Sequence, residues 1–232
     1  MGAPAGVPEP GQQRPMLIAH GAGNTREAAL TAVGLGADLI EVDLWVHRRQ
    51  FEARHERRLP LRAPVLYEQW YLSRPRRDAM TLPELIDICK GRSGIFLDLK
   101  GGGDAVVDLL RDQLGGSALP LPVAASAQHW PVLREVGRRL HQIAPFYSID
   151  VLAKLDLFLS VMRRDPIPVG ISCRHELLDQ AVVERCHEEG VAVVAWTVDE
   201  PSRALELVAM GVDAITTHAI AVLRAELGLP SR

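Results

Sequence analysis

The chain has 232 residues, of which 47% are hydrophobic, 24% charged and 5% aromatic, a composition that suits a folded globular protein and excludes a wholly disordered one. Its length fits one compact α/β domain around a single core. A formal net charge of −3 argues against a dedicated nucleic-acid binder, and no uncharged apolar run approaches the roughly 18–20 residues of a membrane span.

The opening MGAPAGVPEPGQQRP is rich in Pro and Gly and has no apolar h-region, so residues 1–15 are expected to form a flexible tail and not a signal peptide. From Met16 onward, short β-type runs alternate with longer helical ones. Strands are expected at 16–20, 38–44, 94–100, 121–126, 142–149, 168–173, 191–198 and 213–217. Helices are expected at 24–36, 81–90, 103–115, 130–141, 150–163, 177–189, 201–210 and 219–227. Thr81 and Glu84 have the spacing of a capping box, and Gly190 and Gly211 sit where helices stop. Eight strand–helix units over residues 16–232 predict a single-domain (β/α)8 TIM barrel. An open doubly wound sheet is the runner-up, but GAGN after the first strand does not match the GxGxxG such a sheet uses for dinucleotides.

Between Val46 and Met80 an irregular Arg-rich excursion breaks the rhythm. Its FEARH portion alternates like a short extra strand ending near His55. The three cysteines, Cys89, Cys173 and Cys186, are scattered and form no CxxC, which favours a reduced, cytoplasmic setting over a disulfide framework.

Catalytic groups of a barrel sit at the C-terminal ends of its strands. That rule selects His20 after the first strand, Glu41 and Asp43 on the second, His55 after the extra strand, and Asp98 with Lys100 on the third. Glu41 and Asp43 are two residues apart, as are Asp98 and Lys100, so each pair shares one strand face with side chains about 6–7 Å apart. Three carboxylates in a partly desolvated site repel one another and call for a cation. Oxygen donors alone suit Mg²⁺ or Ca²⁺ better than zinc. His20 and His55 can exchange protons near neutral pH, and metal, Lys100 and two imidazoles together describe phosphoryl chemistry. Singly, each group has a structural explanation: solvent-facing alternation, a hydrogen-bonded strand-end His, an Asp98–Lys100 ion pair. Their joint placement carries the functional reading.

In order along the chain, these motifs resemble the glycerophosphodiester phosphodiesterase family, a group of metal-dependent TIM-barrel hydrolases. The chain has IAH ending at His20, Asn24-Thr25, GAD at 36–38, Glu41-Val42-Asp43, His55-Glu56, MTLPEL at 80–85 and Asp98-Leu99-Lys100. It then has AWTVD at 195–199 and GVDAITT at 211–217, against the family's Trp-Thr-Val-Asn and Gly-Val-Asp-Gly-Ile-x-Thr-Asp. The family's serine-containing fourth strand is echoed only weakly by AASAQHW at 124–130. The resemblance implies that Glu41, Asp43 and Asp98 hold Mg²⁺ or Ca²⁺, that His20 and His55 are the acid–base pair, that Lys100 contacts phosphate and that Trp196 packs on the substrate alcohol. The implied reaction is hydrolysis of a glycerophosphodiester to glycerol 3-phosphate or a related phosphomonoester and an alcohol, a step of lipid metabolism.

Three departures stand out. Gly21 replaces the family's Arg after the first His, removing a phosphate donor for which Arg54 and Arg57 are candidate replacements. The Arg-rich excursion replaces the family's small insertion, and His218 stands in the place of the final Asp. Two alternatives therefore stay open. One is a lysophospholipase D-type activity at a membrane surface, with peripheral contact through Trp70, Tyr71 and the arginines of the 57–77 loop. The other is a non-catalytic barrel that binds phosphorylated ligands.

Overall fold

The computed structural model describes residues 4–47, 49–54, 80–101, 103–114 and 119–230. Among the described residues nine strands are found: β1 Met16–Ala19, β2 Leu39–His47, β3 Gln50–Ala53, β4 Gly94–Lys100, β5 Val123–Ala127, β6 Ile143–Ile149, β7 Gly170–Arg174, β8 Ala192–Trp196 and β9 Ala214–Thr217. The helices are α1 Arg26–Gly34, α2 Leu82–Cys89, α3 Asp104–Leu114, α4 Trp130–Arg139, α5 Leu152–Val161, α6 Gln180–Glu188, α7 Pro201–Ala209 and α8 Ile220–Glu226. β1 pairs in parallel with both β2 and β9, which closes eight parallel strands into a barrel. The expected (β/α)8 fold is the observed one. β3 is the extra strand anticipated around FEARH, and it folds back antiparallel on β2. The rest of the excursion, His55 included, lies outside the described residues.

Local chemistry sets the helix ends where the sequence placed them. The Thr81 hydroxyl accepts from the Glu84 N–H while the Glu84 carboxylate accepts from the Thr81 N–H, completing the capping box of α2. Asp179 caps α6 through the Val182 N–H. Gly190 and Gly211 take φ of 71° and 90° directly beyond α6 and α7, the left-handed turn that glycine adopts without a Cβ penalty.

Two apolar layers follow from the two-residue period of the strands. Along β2, Leu39 joins Ile18, Phe96, Phe146 and Val194 inside the barrel, whereas Ile40, Val42 and Leu44 belong to the layer between barrel and helices. Gly170 makes the interior fit. A Cβ there would lie 2.2 Å from the Phe146 ring and 2.7 Å from the Ala192 carbonyl oxygen.

Val7 is 2% exposed and packs with the interior cluster, the Gly11 N–H donates to Asp213 Oδ1 at 2.7 Å, and the Gln12 amide donates to the Asp213 carbonyl. Residues 4–15 thus lie against the bottom of the barrel, held by the buried Val7, Pro8 and Pro15 and a few hydrogen bonds. Among the described residues no helix is long and apolar enough to cross a membrane.

Candidate active site

The mouth at the C-terminal ends of the strands collects the predicted groups. β2 and β4 run in register with Asp43 opposite Asp98, and Asp98 is opposite Ser126 of β5. Glu41 and Asp43 are 5% and 1% exposed. One carboxylate oxygen from each of Glu41, Asp43 and Asp98 falls within a cluster no more than 4.8 Å across. A cavity of about 310 Å³ lies above them, walled by His20, Glu41, Asp98, Lys100, Ser126 and Trp196.

Each carboxylate is held by a different donor. The Gly21 N–H donates to Glu41 Oε2 at 2.5 Å. Gly21 has φ of +61°. Asn24 clamps Asp43 twice: its amide donates to Asp43 Oδ2 at 2.7 Å, and its carbonyl oxygen accepts from the Asp43 N–H at 3.0 Å. Asp98 accepts from Ser126 at 3.3 Å. Lys100 forms ion pairs with Asp43 Oδ1 at 2.9 Å and with Asp98.

The electrostatics show too little positive charge for the acids. Burial, reinforced by Asp43 and then Asp98, pushes the Glu41 carboxyl well above the usual carboxylate range. Burial also raises Asp98, against the attraction of Lys100. For Lys100, burial works against ionisation, but Asp98 and Asp43 outweigh it and hold the ammonium above its ordinary value. An all-oxygen trio with uncompensated charge fits a hard divalent cation and does not fit a thiolate- or imidazole-seeking metal.

His20 follows β1, its backbone N–H bonded to the Thr217 carbonyl, and its ring Nδ1 lies 3.1 Å from the Thr197 hydroxyl. Trp196 ends β8 half-buried in the cavity wall. Arg54 pairs with Glu52 at 3.1 Å and stacks over Trp45, so of the two arginines suggested as phosphate donors it is already engaged at the barrel edge. Arg57, like His55 and the 57–77 loop, lies outside the described residues. Two contacts have no local signature in the sequence: the Asn24 clamp, although Asn24 stands in a motif, and the approach of His218, whose ring centroid is 4.6 Å from that of His20.

Residues 150–222 match the model of the glycerophosphoryl diester phosphodiesterase family. This is the family that the sequence motifs resemble. The matched segment runs from the end of β6 into α8 and contains Trp196, Thr197 and His218, while the acidic half of the site lies before it. No curated protein matches the sequence significantly. Solved structures are similar in fold. A phosphodiesterase from Oleispira antarctica in complex with the product sn-glycerol-3-phosphate is 19% identical with a TM-score of 0.70, over 92% of this chain and 97% of that one. A glycerophosphodiester phosphodiesterase from Parabacteroides distasonis is 17% identical, TM-score 0.70, over 92% and 96%. Another from Thermotoga maritima is 16% identical, TM-score 0.63, over 92% and 99%.

Proposed function

We propose that the chain is a phosphoric diester hydrolase that cleaves a glycerophosphodiester to glycerol 3-phosphate, or a related phosphomonoester, and an alcohol. The observation that carries the reading is the cluster of Glu41, Asp43 and Asp98, of which Glu41 and Asp98 line the same cavity as His20. Those three carboxylates would hold Mg²⁺ or Ca²⁺, which when bound supplies Lewis-acid stabilisation of phosphoryl charge. The solved relative with sn-glycerol-3-phosphate, and the family match over residues 150–222, support the substrate class.

The chain's own groups divide the remaining work. His20 has Nδ1 engaged by Thr197, so it exchanges a proton with the reacting oxygen at Nε2, and His55 is its partner in acid–base catalysis. With a divalent cation held by the carboxylates, Lys100, now paired with Asp43 and Asp98, would be the cation available to the phosphate. Trp196 packs on the leaving alcohol. Unpaired, buried Cys89, Cys173 and Cys186 accord with a reducing, cytoplasmic location. The lysophospholipid alternative rests on residues 57–77, outside the described structure.

The test is release of glycerol 3-phosphate from a panel of glycerophosphodiesters by purified protein. Turnover is expected only with Mg²⁺ or Ca²⁺, to be abolished by Glu41→Ala, and to fall about 10²–10⁴-fold in His20→Ala, the usual contribution of a positioned acid or base. Full turnover in excess chelator would refute the reading, and metal-dependent phosphate binding without turnover would establish the non-catalytic barrel.

A further inference from the structure

His20 stands between two cavities. One is the mouth with the carboxylates; the other, of about 400 Å³, lies on its far side and is lined by Gly21, Thr25, Ile220 and His218. His218 belongs only to the second, so it is not placed to touch a diester in the mouth, yet its ring lies against that of His20 at 4.6 Å between centroids and 37° between planes. We propose that His218, anchored by Asp199, is a positioning residue that fixes the ring of His20.

The anchor has more than one point. Asp199 Oδ1 accepts from the His218 backbone N–H at 2.8 Å and from the Thr217 hydroxyl at 2.9 Å, while Asp199 Oδ2 is 2.9 Å from His218 Nδ1. Burial alone pushes the Asp199 carboxyl up, but the hydrogen bonds from His218 and Thr217 outweigh it and hold the carboxyl below its usual range. An ionised carboxylate only accepts, so Nδ1 of His218 carries its proton and the tautomer of that ring is set.

His20 is thereby restrained in two directions. Thr197 holds one edge of the ring through Nδ1, and His218 lies against it in a tilted contact. An imidazole turns about its last side-chain bond between two nearly equivalent orientations, and such a half-turn would put Cδ2 where Nδ1 now meets Thr197. Hydrogen bond and ring contact together favour the single orientation that keeps Nδ1 on Thr197. A solvent-exposed Asp–His pair would ordinarily contribute little, and His218 is 60% exposed. Its placement on the one imidazole of the described mouth gives it a role beyond that of a surface pair. The two positions also differ together from the family pattern quoted above. The acid expected at 218 is replaced by an imidazole, and the Asn expected at 199 becomes the acid that holds it.

The kinetic arm of the test rests on the phosphodiesterase reading, and the spectroscopic arm does not. Imidazole nitrogen resonances of His20, assigned by their loss in His20→Gln, are recorded at pH 8 in wild type, His218→Ala and His218→Phe. A single tautomer with well-separated Nδ1 and Nε2 shifts is expected in wild type, and collapse of that separation in His218→Ala. A misoriented acid–base group costs rate and not binding, so kcat in His218→Ala is expected to fall about tenfold with KM unchanged. His218→Phe keeps a ring against His20 and should restore the shift separation and most of kcat. Identical His20 resonances in wild type and His218→Ala, with both proteins folded by circular dichroism, would overturn the proposal even in a barrel without turnover.

Discussion

Replacing Asn24 by Ala tests how the site is held together. Asn24 makes two hydrogen bonds to one residue, 2.7 Å from its amide to Asp43 Oδ2 and 3.0 Å from the Asp43 N–H to its carbonyl oxygen, and Asp43 is 1% exposed. The truncation leaves a buried N–H and a buried carboxylate oxygen without these partners. Each unsatisfied group costs about 1–3 kcal/mol, so a loss of about 2–6 kcal/mol is expected. In a chain of this size about 2–4 °C of Tm accompanies each kcal/mol, which places the melting transition of Asn24→Ala about 4–24 °C below wild type. Lys100 still reaches Asp43 Oδ1 at 2.9 Å, so the carboxylate stays in the site but is less well oriented. Divalent-cation affinity measured by calorimetry should fall about 10–100-fold, the range for losing a group that orients a metal ligand. Melting curves that overlay, with equal cation affinity, would refute the idea that Asn24 builds the site.

Two further expectations follow from packing. Removing residues 1–11 takes away the buried Val7 and the Gly11 bond to Asp213, and should destabilise the barrel by about 2–4 kcal/mol; an unchanged thermal melt would mean the segment is the flexible tail its composition suggests. Burial pushes the thiols of Cys89, Cys173 and Cys186 up to about 12. A raised thiol pKa means less thiolate at any given pH, so native protein at pH 8 should resist a disulfide reagent until it is unfolded by denaturant; rapid modification of the folded protein would contradict this.

The barrel and most of the acidic site were legible in the sequence because both depend on periodicity. Alternation in LIEVDLWV assigns Leu39, Glu41 and Asp43 to one face, and the observed inner and outer layers divide along that alternation. The contacts of residues 4–15 were not legible because they depend on a few apolar side chains and hydrogen bonds meeting an opening that exists only after eight strands have closed. The Asn24 clamp and the His218 stack are contacts between residues 19 and 198 positions apart, set by strand register that no local pattern encodes. His218 was visible only as a departure from the family, and its partner Asp199 lies at the end of a different strand.

The acids of one short stretch show how much position within a strand decides. Asp38 precedes β2 and Glu41 and Asp43 lie along it, a few ångströms of rise apart, yet their surroundings differ. At the bottom, Asp38 accepts from the Leu17 N–H at 2.8 Å and pairs with Arg14. Its counterpart before β9, Asp213, accepts from the N–H groups of Val193 and Gly11 and pairs with His187. Each of these acids ties one strand to the next through local donors, although burial still holds the Asp213 carboxyl above its usual range. The acids further along, at the mouth, share Lys100 among Asp43 and Asp98, and Glu41 has a single backbone N–H. Aspartates of the two GxD motifs therefore serve the fold, whereas Glu41, Asp43 and Asp98 retain a charge deficit that the described residues do not meet. That deficit, more than the motif itself, is the physical reason to place a divalent cation and phosphoryl chemistry at this end of the barrel.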